Sequence, residues 1–201
     1  MHICRFVLSA MIVFFFLLVA GCISTAPASP LSPSAMQNPN QPTPSSGSTG
    51  SFTLHVASLA PGSVLPDIYT CKGNSESPAV SWDGIPNGTK SLVLILDDPD
   101  AVAGKFTHWI VFNIPPNAGE LGEAQPNVKV LSDGAQQGET SAGSRGYYPP
   151  RPPVGSTHRY VFRLYAVDMD ITQPTADRDS IDWALTGHTI GQTDVVTVFK
   201  R

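Results

Sequence analysis

The chain predicts a mainly β domain, an antiparallel sandwich with one or two peripheral helices. Between Phe52 and Arg201, short strand-like runs alternate with Gly, Pro and Asn turns, and long stretches of helical periodicity are scarce. The roughly 150 residues of this stretch suffice for one well-buried domain and not naturally for two.

Taken in order, the strand candidates are Phe52 to Ala57, Ala79 to Trp82, Ser91 to Leu96, His108 to Ile114, Arg159 to Val167 and Asp194 to Phe199. Ser91 to Leu96 is aliphatic and β-branched, too short for a typical buried helix, and it runs into the turn-forming Asp97-Asp98-Pro99-Asp100. In His108 to Ile114, a period of two places His108, Ile110 and Phe112 on one face and Trp109, Val111 and Asn113 on the other. By the same rule Tyr160, Phe162 and Leu164 share a face with His158. Thr175 to Leu185 is the helix candidate, with Asp and Ser near its start and Gly187 as its stop. Trp82, Trp109 and Trp183 read as core. Asn87-Gly88-Thr89 is a good turn and also an N-glycosylation sequon at Asn87.

Three stretches carry chemistry: Asp97 to Ala101, Thr107 to Pro115, and Pro149-Pro150-Arg151-Pro152-Pro153 leading to Thr157-His158-Arg159-Tyr160. Each sets a carboxylate, an imidazole or a phenol beside a strand, with prolines holding the loops. Two imidazoles near a pKa of ~6.5 can donate to a phosphate-like oxygen and gain charge when an anion arrives. A neighbouring carboxylate can fix the tautomer of one ring, at the cost of repelling the ligand. Prolines give no N–H but pre-order a loop and so lower the entropy lost on binding. A lone histidine at a strand mouth is usually structural; two in one constellation point to a site.

These motifs, together with Tyr69-Thr70-Cys71-Lys72-Gly73, Ser77 to Trp82 and Gly187-His188, resemble the phosphatidylethanolamine-binding protein family, also called the Raf kinase inhibitor protein family, in its bacterial and archaeal branch. The resemblance implies two antiparallel sheets with Greek-key connections and places Ser180 to Gly187 on a helix. It implies a ligand site made of Asp98, Pro99, His108, Pro152, Pro153, His158 and Tyr160, with Asp100 supporting the loop and His188 packing near the cavity. Where that branch usually has Gly-Pro, this chain has Pro149-Pro150, which closes off positive φ and removes a donor. Glu139 to Gly143 also departs from the family's polar stretch. Arg151 stands where it could add positive charge.

The front of the chain reads as an exported, tethered protein. Residues 1–21 form a signal segment: Arg5, then an apolar run from Phe6 to Ala20 broken by Ser9, then Val19-Ala20-Gly21-Cys22. That is a lipoprotein-type site, at which Cys22 becomes the lipidated N-terminus, so the expected location is extracytoplasmic at the cell membrane. The alternative is an uncleaved transmembrane anchor, since the run approaches the ~20 residues a bilayer requires. Residues 22–51 form a spacer; from Ile23 to Ser51 it holds six prolines and no charge, and cannot bury a core. The domain is 52–201, in which Cys71 is the only cysteine, so no disulfide can form within it. Cys71 reads as a small buried hydrophobe.

Removing residues 1–21 takes away Arg5 and leaves 11 basic against 16 acidic residues, without a basic patch. Nucleic acid is thereby excluded as a partner, and anionic lipid surfaces as the main one. The leading expectation is a non-catalytic binding module for a small phosphate- or carboxylate-bearing group, such as a phospholipid headgroup. It needs no cofactor, and the family resemblance adds a kinase or protease as a protein partner. The competing readings are a hydrolase using Asp98, His108 and His158 as acid and base, and a two-His-one-carboxylate metal site. The first lacks a Gly-x-Ser-x-Gly elbow, and the second lacks any closely spaced ligand pair.

Overall fold

The structure, a computed structural model, describes residues 50–172 and 175–201. The signal segment, nearly all of the spacer and the Cys22 site lie outside the described residues. Strands β1 (Thr53–Val56), β2 (Val80–Asp83) and β5 (Glu120–Leu121) form a three-stranded sheet in the order β1-β2-β5. Strands β3 (Ser91–Asp98), β4 (Phe106–Ile114), β6 (Gln136–Gln137), β7 (Thr157–Val167) and β8 (Thr189–Lys200) form a second in the order β6-β4-β3-β7-β8. All strand pairings within both sheets are antiparallel. One helix, α1 (Arg178–Leu185), and two short 3-10 turns complete the described elements.

The larger sheet is covered on both faces. One face shares a core with the smaller sheet, through Leu54, Val80 and Trp82 against Leu94, Trp109, Val111, Phe162 and Leu164. The other packs Val93, Ile95, Ile110 and Phe112 against Ile181, Ala184 and Leu185 of α1. This explains why β3 reads as a continuous apolar run and not an alternating one: every one of its residues is buried. At the sheet's edge the fully buried Gln137 accepts from the Trp109 indole N–H at 2.8 Å and donates to the carbonyls of Pro126 and Val128.

Several expectations are corrected. β3 does not end at Leu96; Asp97 and Asp98 stay in register with Thr107 and Phe106, and the turn begins at Pro99. β8 starts at Thr189, not Asp194, because backbone pairing with β7 extends through Thr189, Gly191, Gln192 and Thr193, which give no hydrophobic signal. The helix starts at Arg178, not Thr175, because the Asp177 carboxylate caps it by accepting from the Ser180 N–H at 2.8 Å. It ends at Leu185, so Thr186 and Gly187 lie beyond it. Trp82 and Trp109 are core, but Trp183 is 73% exposed on the outer face of α1. Cys71 is only half-buried, packed against the core, and Asn87 is exposed in a turn whose Gly88 has φ +90°.

The Gln137 arrangement makes a stability prediction. Gln137→Leu keeps the volume but leaves the buried indole N–H and two carbonyls without partners, and should cost about 2–4 kcal/mol. Urea unfolding checks this: the midpoint should fall with an unchanged slope, and a wild-type midpoint would refute it.

Candidate functional site

β3, β4 and β7 converge at one end of the larger sheet, where the last residues of β3 meet the first of β4 and β7. A β-bulge there decides the site. Leu96 pairs with Trp109 and Asp97 with Thr107, so His108 is the extra residue on β4 with no partner across the strand. The bulge corrects the period-two expectation: His108 does not share a face with Ile110 and Phe112, which lie on the α1 side. It stands on the side of Trp109, with its ring 5.4 Å from that of Tyr160 in an edge-on contact. Thr107 is held by Ser141, whose Oγ accepts from the Thr107 N–H at 2.9 Å and whose N–H donates to the Thr107 carbonyl at 2.9 Å. A second irregularity places Asn113 at φ 54°, where its amide pairs with both backbone groups of Ile171; it too leaves the face of Trp109 and Val111.

The two histidines are fixed in the same way. His108 Nδ1 lies 2.8 Å from the Tyr148 carbonyl, and the Tyr148 N–H donates back to the His108 carbonyl at 2.8 Å. His158 Nδ1 lies 2.7 Å from Asp98 Oδ2, with both side chains buried. A carbonyl and an ionised carboxylate only accept, so each Nδ1 carries the hydrogen and each Nε2 is left for a ligand. The other Asp98 oxygen accepts from the Asp100 N–H at 2.8 Å and closes the turn.

Both rings line a cleft of about 530 Å³, together with Asp98, Phe106, Tyr148, Arg151, Pro152, Pro153 and the 101–105 loop. Asp98, His108, His158, Pro152 and Pro153 are therefore brought together as expected. Pro99 is exposed in the turn and does not line the cleft. Asp100 supports the turn, as the resemblance implies: its carboxylate accepts from the Arg159 backbone N–H and Nε at 2.9 Å and from Nη2 at 2.6 Å. Those bonds pull the Asp100 pKa down to about 2. Tyr160 lies behind His108 and does not reach the cleft surface; it is fully buried, and its hydroxyl has no partner of good geometry among the described residues. Burial, reinforced by the Asp98 charge, raises its pKa, so it acts as a neutral wall.

His188 is corrected. It pairs with Asp168 at 2.8 Å beside the exposed Trp183, in a separate hollow away from the cleft. His55 pairs with Asp83 on the surface. Arg151 does line the cleft. Sequence reasoning missed the Tyr148 carbonyl, Lys105 and Phe106; no side-chain pattern marks a carbonyl as a histidine partner, while Lys105 and Phe106 were legible only as neighbours of the His108 motif. Among the described residues, no group of three or more His, Cys, Asp or Glu converges to hold a metal ion.

Burial is the largest influence on His108 and depresses its pKa below 6.5, outweighing the Tyr148 carbonyl and the Asp98 and Asp97 carboxylates, which act in the opposite direction. The ring is therefore neutral at pH 7. The unfolded chain binds this proton at the ordinary value, so the stability contributed by the neutral ring is present above pH 6.5. It is lost as pH falls from there through the folded-state midpoint. NMR titration of the ring should give a midpoint below 6.5, and His108→Gln should flatten that part of the stability profile. A midpoint at or above 6.5 would contradict the assignment.

A family model described as phosphatidylethanolamine-binding protein matches residues 55–200. A UPF0098 protein of Methanothermobacter thermautotrophicus is 45% identical over 139 residues, 68% of this chain and 91% of the relative. A Mycobacterium tuberculosis relative, named provisionally as lipoprotein LppC, is 36% identical over 124 residues, 61% of this chain and 59% of that protein. The fold is similar to that of the phosphatidylethanolamine-binding protein homologue CT736 of Chlamydia trachomatis, with TM-score 0.68, 32% identity, and coverage of 75% of this chain and 97% of that one. It is also similar to Escherichia coli YbcL, described as a new member of the mammalian family, with TM-score 0.69, 26% identity, and coverage of 76% and 99%.

Proposed function

The chain belongs to the phosphatidylethanolamine-binding protein family, and from that premise we propose that it is a membrane-tethered, extracytoplasmic binding module that takes a small anionic group into the cleft. The observation that carries this reading is the pair of imidazoles whose Nδ1 atoms are occupied by Tyr148 and Asp98, leaving both Nε2 atoms to one cleft that Arg151 and Lys105 also line. A phosphate monoester suits such a site. Its second pKa lies near ~6, so it can bring a hydrogen to a neutral Nε2 or accept one from a protonated ring. The cleft is large enough for a phospholipid headgroup, whose phosphodiester has no such second hydrogen and would only accept from a protonated ring, whereas free phosphate shares the monoester's chemistry.

The tether rests on the Cys22 site and on the naming of a relative as a lipoprotein. Among the described residues no helix is long and apolar enough to cross a membrane. A protein partner, a kinase or protease held inhibited, remains an extension of this reading, and an exported domain would meet it outside the cytoplasm. Binding is preferred to catalysis because no side-chain nucleophile meets His158 Nε2 among the described hydrogen bonds.

Calorimetry with phosphorylethanolamine and with inorganic phosphate should show saturable binding that strengthens as pH falls from 8 to 6 and is accompanied by proton uptake. The His108→Ala/His158→Ala variant should lose it. Unchanged affinity in that variant would sink the proposal, and turnover of a phosphate or carboxylate ester that depends on His158 would replace it with the hydrolase.

A further inference from the structure

We propose that Arg178, which sits on α1 and outside the cleft, sets the anion affinity of the cleft by cancelling the charge of Asp97 directly behind the His108 wall; this rests on the anion-binding reading above. Asp97 and Asp98 are consecutive residues of β3, so their side chains leave opposite faces of the sheet. Asp98 serves the cleft. Asp97 points to the α1 side, where its carboxylate accepts from Thr107 Oγ1 at 2.7 Å and from Arg178 Nη2 at 3.2 Å, with Arg178 Nε at 3.4 Å. The two side chains are 6% and 12% exposed, so neither charge is screened by bulk water.

The chain of charges continues outward. Arg178 Nη1 also bonds Asp182 one turn along α1, and Asp182 Oδ2 lies 3.7 Å from Lys105 Nζ. Lys105 lines both the cleft and a second hollow of about 310 Å³, which Thr107 and Arg178 also line. A relay of alternating sign, Asp97, Arg178, Asp182 and Lys105, therefore runs from beneath the cleft to its rim. With Arg178 present, Asp97 is balanced by Arg178, Asp182 by Lys105 and Asp100 by Arg159, leaving Asp98 faced by Arg151. Without it, an entering anion would meet Asp97 as a further carboxylate with no cation paired to it. Burial alone would favour deprotonation of the guanidinium, but the Asp97 charge overrides this and keeps it cationic.

A role confined to holding α1 in place predicts something different, and charge-neutral substitution separates the two. Inorganic phosphate is titrated calorimetrically into the full chain, its Arg178→Gln and Arg178→Lys variants, and the double variant Asp97→Asn/Arg178→Gln. Arg178→Gln should bind phosphate roughly five- to thirty-fold more weakly, from one unit charge at this range in an intermediate dielectric. Arg178→Lys and the double variant, in which the charges balance again, should recover to within about threefold. A second readout needs no ligand. The groups acting on His108 are Asp98, Asp97 and His158, with Lys105 and Arg151 in the same lining. Its NMR midpoint should rise in Arg178→Gln and return in the double variant. Wild-type phosphate affinity in folded Arg178→Gln, or a double variant as weak as the single, would overturn the proposal and leave the anion-binding reading standing. A wild-type chain that takes up no phosphate would overturn that reading instead, and the His108 midpoint then decides the charge compensation by itself.

Discussion

The site depends on two adjacent carboxylates at the end of β3. Because a strand turns successive side chains to opposite faces, one buried Asp-Asp pair serves two structures. Asp98 fixes the tautomer of His158 and closes the turn through the Asp100 N–H, and Asp97 gathers Thr107 and Arg178. Both carboxylates are almost fully buried. Such groups are costly unless every oxygen finds a donor, and all four oxygens here do. The network is therefore a constraint on geometry more than a source of stability: removing one partner would leave a buried charge uncompensated, so β3, β4, β7 and α1 must meet in one arrangement.

That constraint accounts for the bulge. Thr107 must turn its hydroxyl to Asp97 on the α1 side while His108 turns its ring to the cleft; regular alternation satisfies this pair but would then send Trp109 out of the core it shares with the smaller sheet. The extra residue lets His108 and Trp109 lie on one side, so the Trp109 indole keeps Gln137 and the imidazole keeps Tyr148. The cost is a break in pairing between β4 and β3, and Ser141 meets it by satisfying both the N–H and the carbonyl of Thr107.

Much of this was legible in the sequence wherever side-chain chemistry carries the signal. The apolar run of β3, the face of Tyr160, Phe162 and Leu164, and the meeting of Asp98, His108 and His158 follow from residue types and motif order. What failed depended on backbone arrangement. The face of His108 turned on a single inserted residue that periodicity cannot show. Trp183 looked like core because size and apolarity were the only cues, whereas α1 needs just one buried stripe, and Ile181, Ala184 and Leu185 supply it. The early start of β8 was hidden because Thr189, Gly191, Gln192 and Thr193 give no hydrophobic signal, and Ile190, the one apolar residue among them, sits at a break in the register with β7.

Pro149 and Pro150 act on the backbone that holds His108. Tyr148 precedes Pro149, and a residue before proline is driven away from helical backbone toward the extended region. Tyr148 is also the residue whose N–H and carbonyl both clamp His108, each at 2.8 Å. A proline at position 149 therefore stiffens the carbonyl that dictates the His108 tautomer. Pro150 is buried and its carbonyl still serves as an acceptor, for the Cys71 N–H at 3.1 Å. A glycine at 149 would supply a donor but free that carbonyl to rotate. This chain gives up a main-chain donor beside the cleft and in exchange holds the His108 imidazole in one orientation.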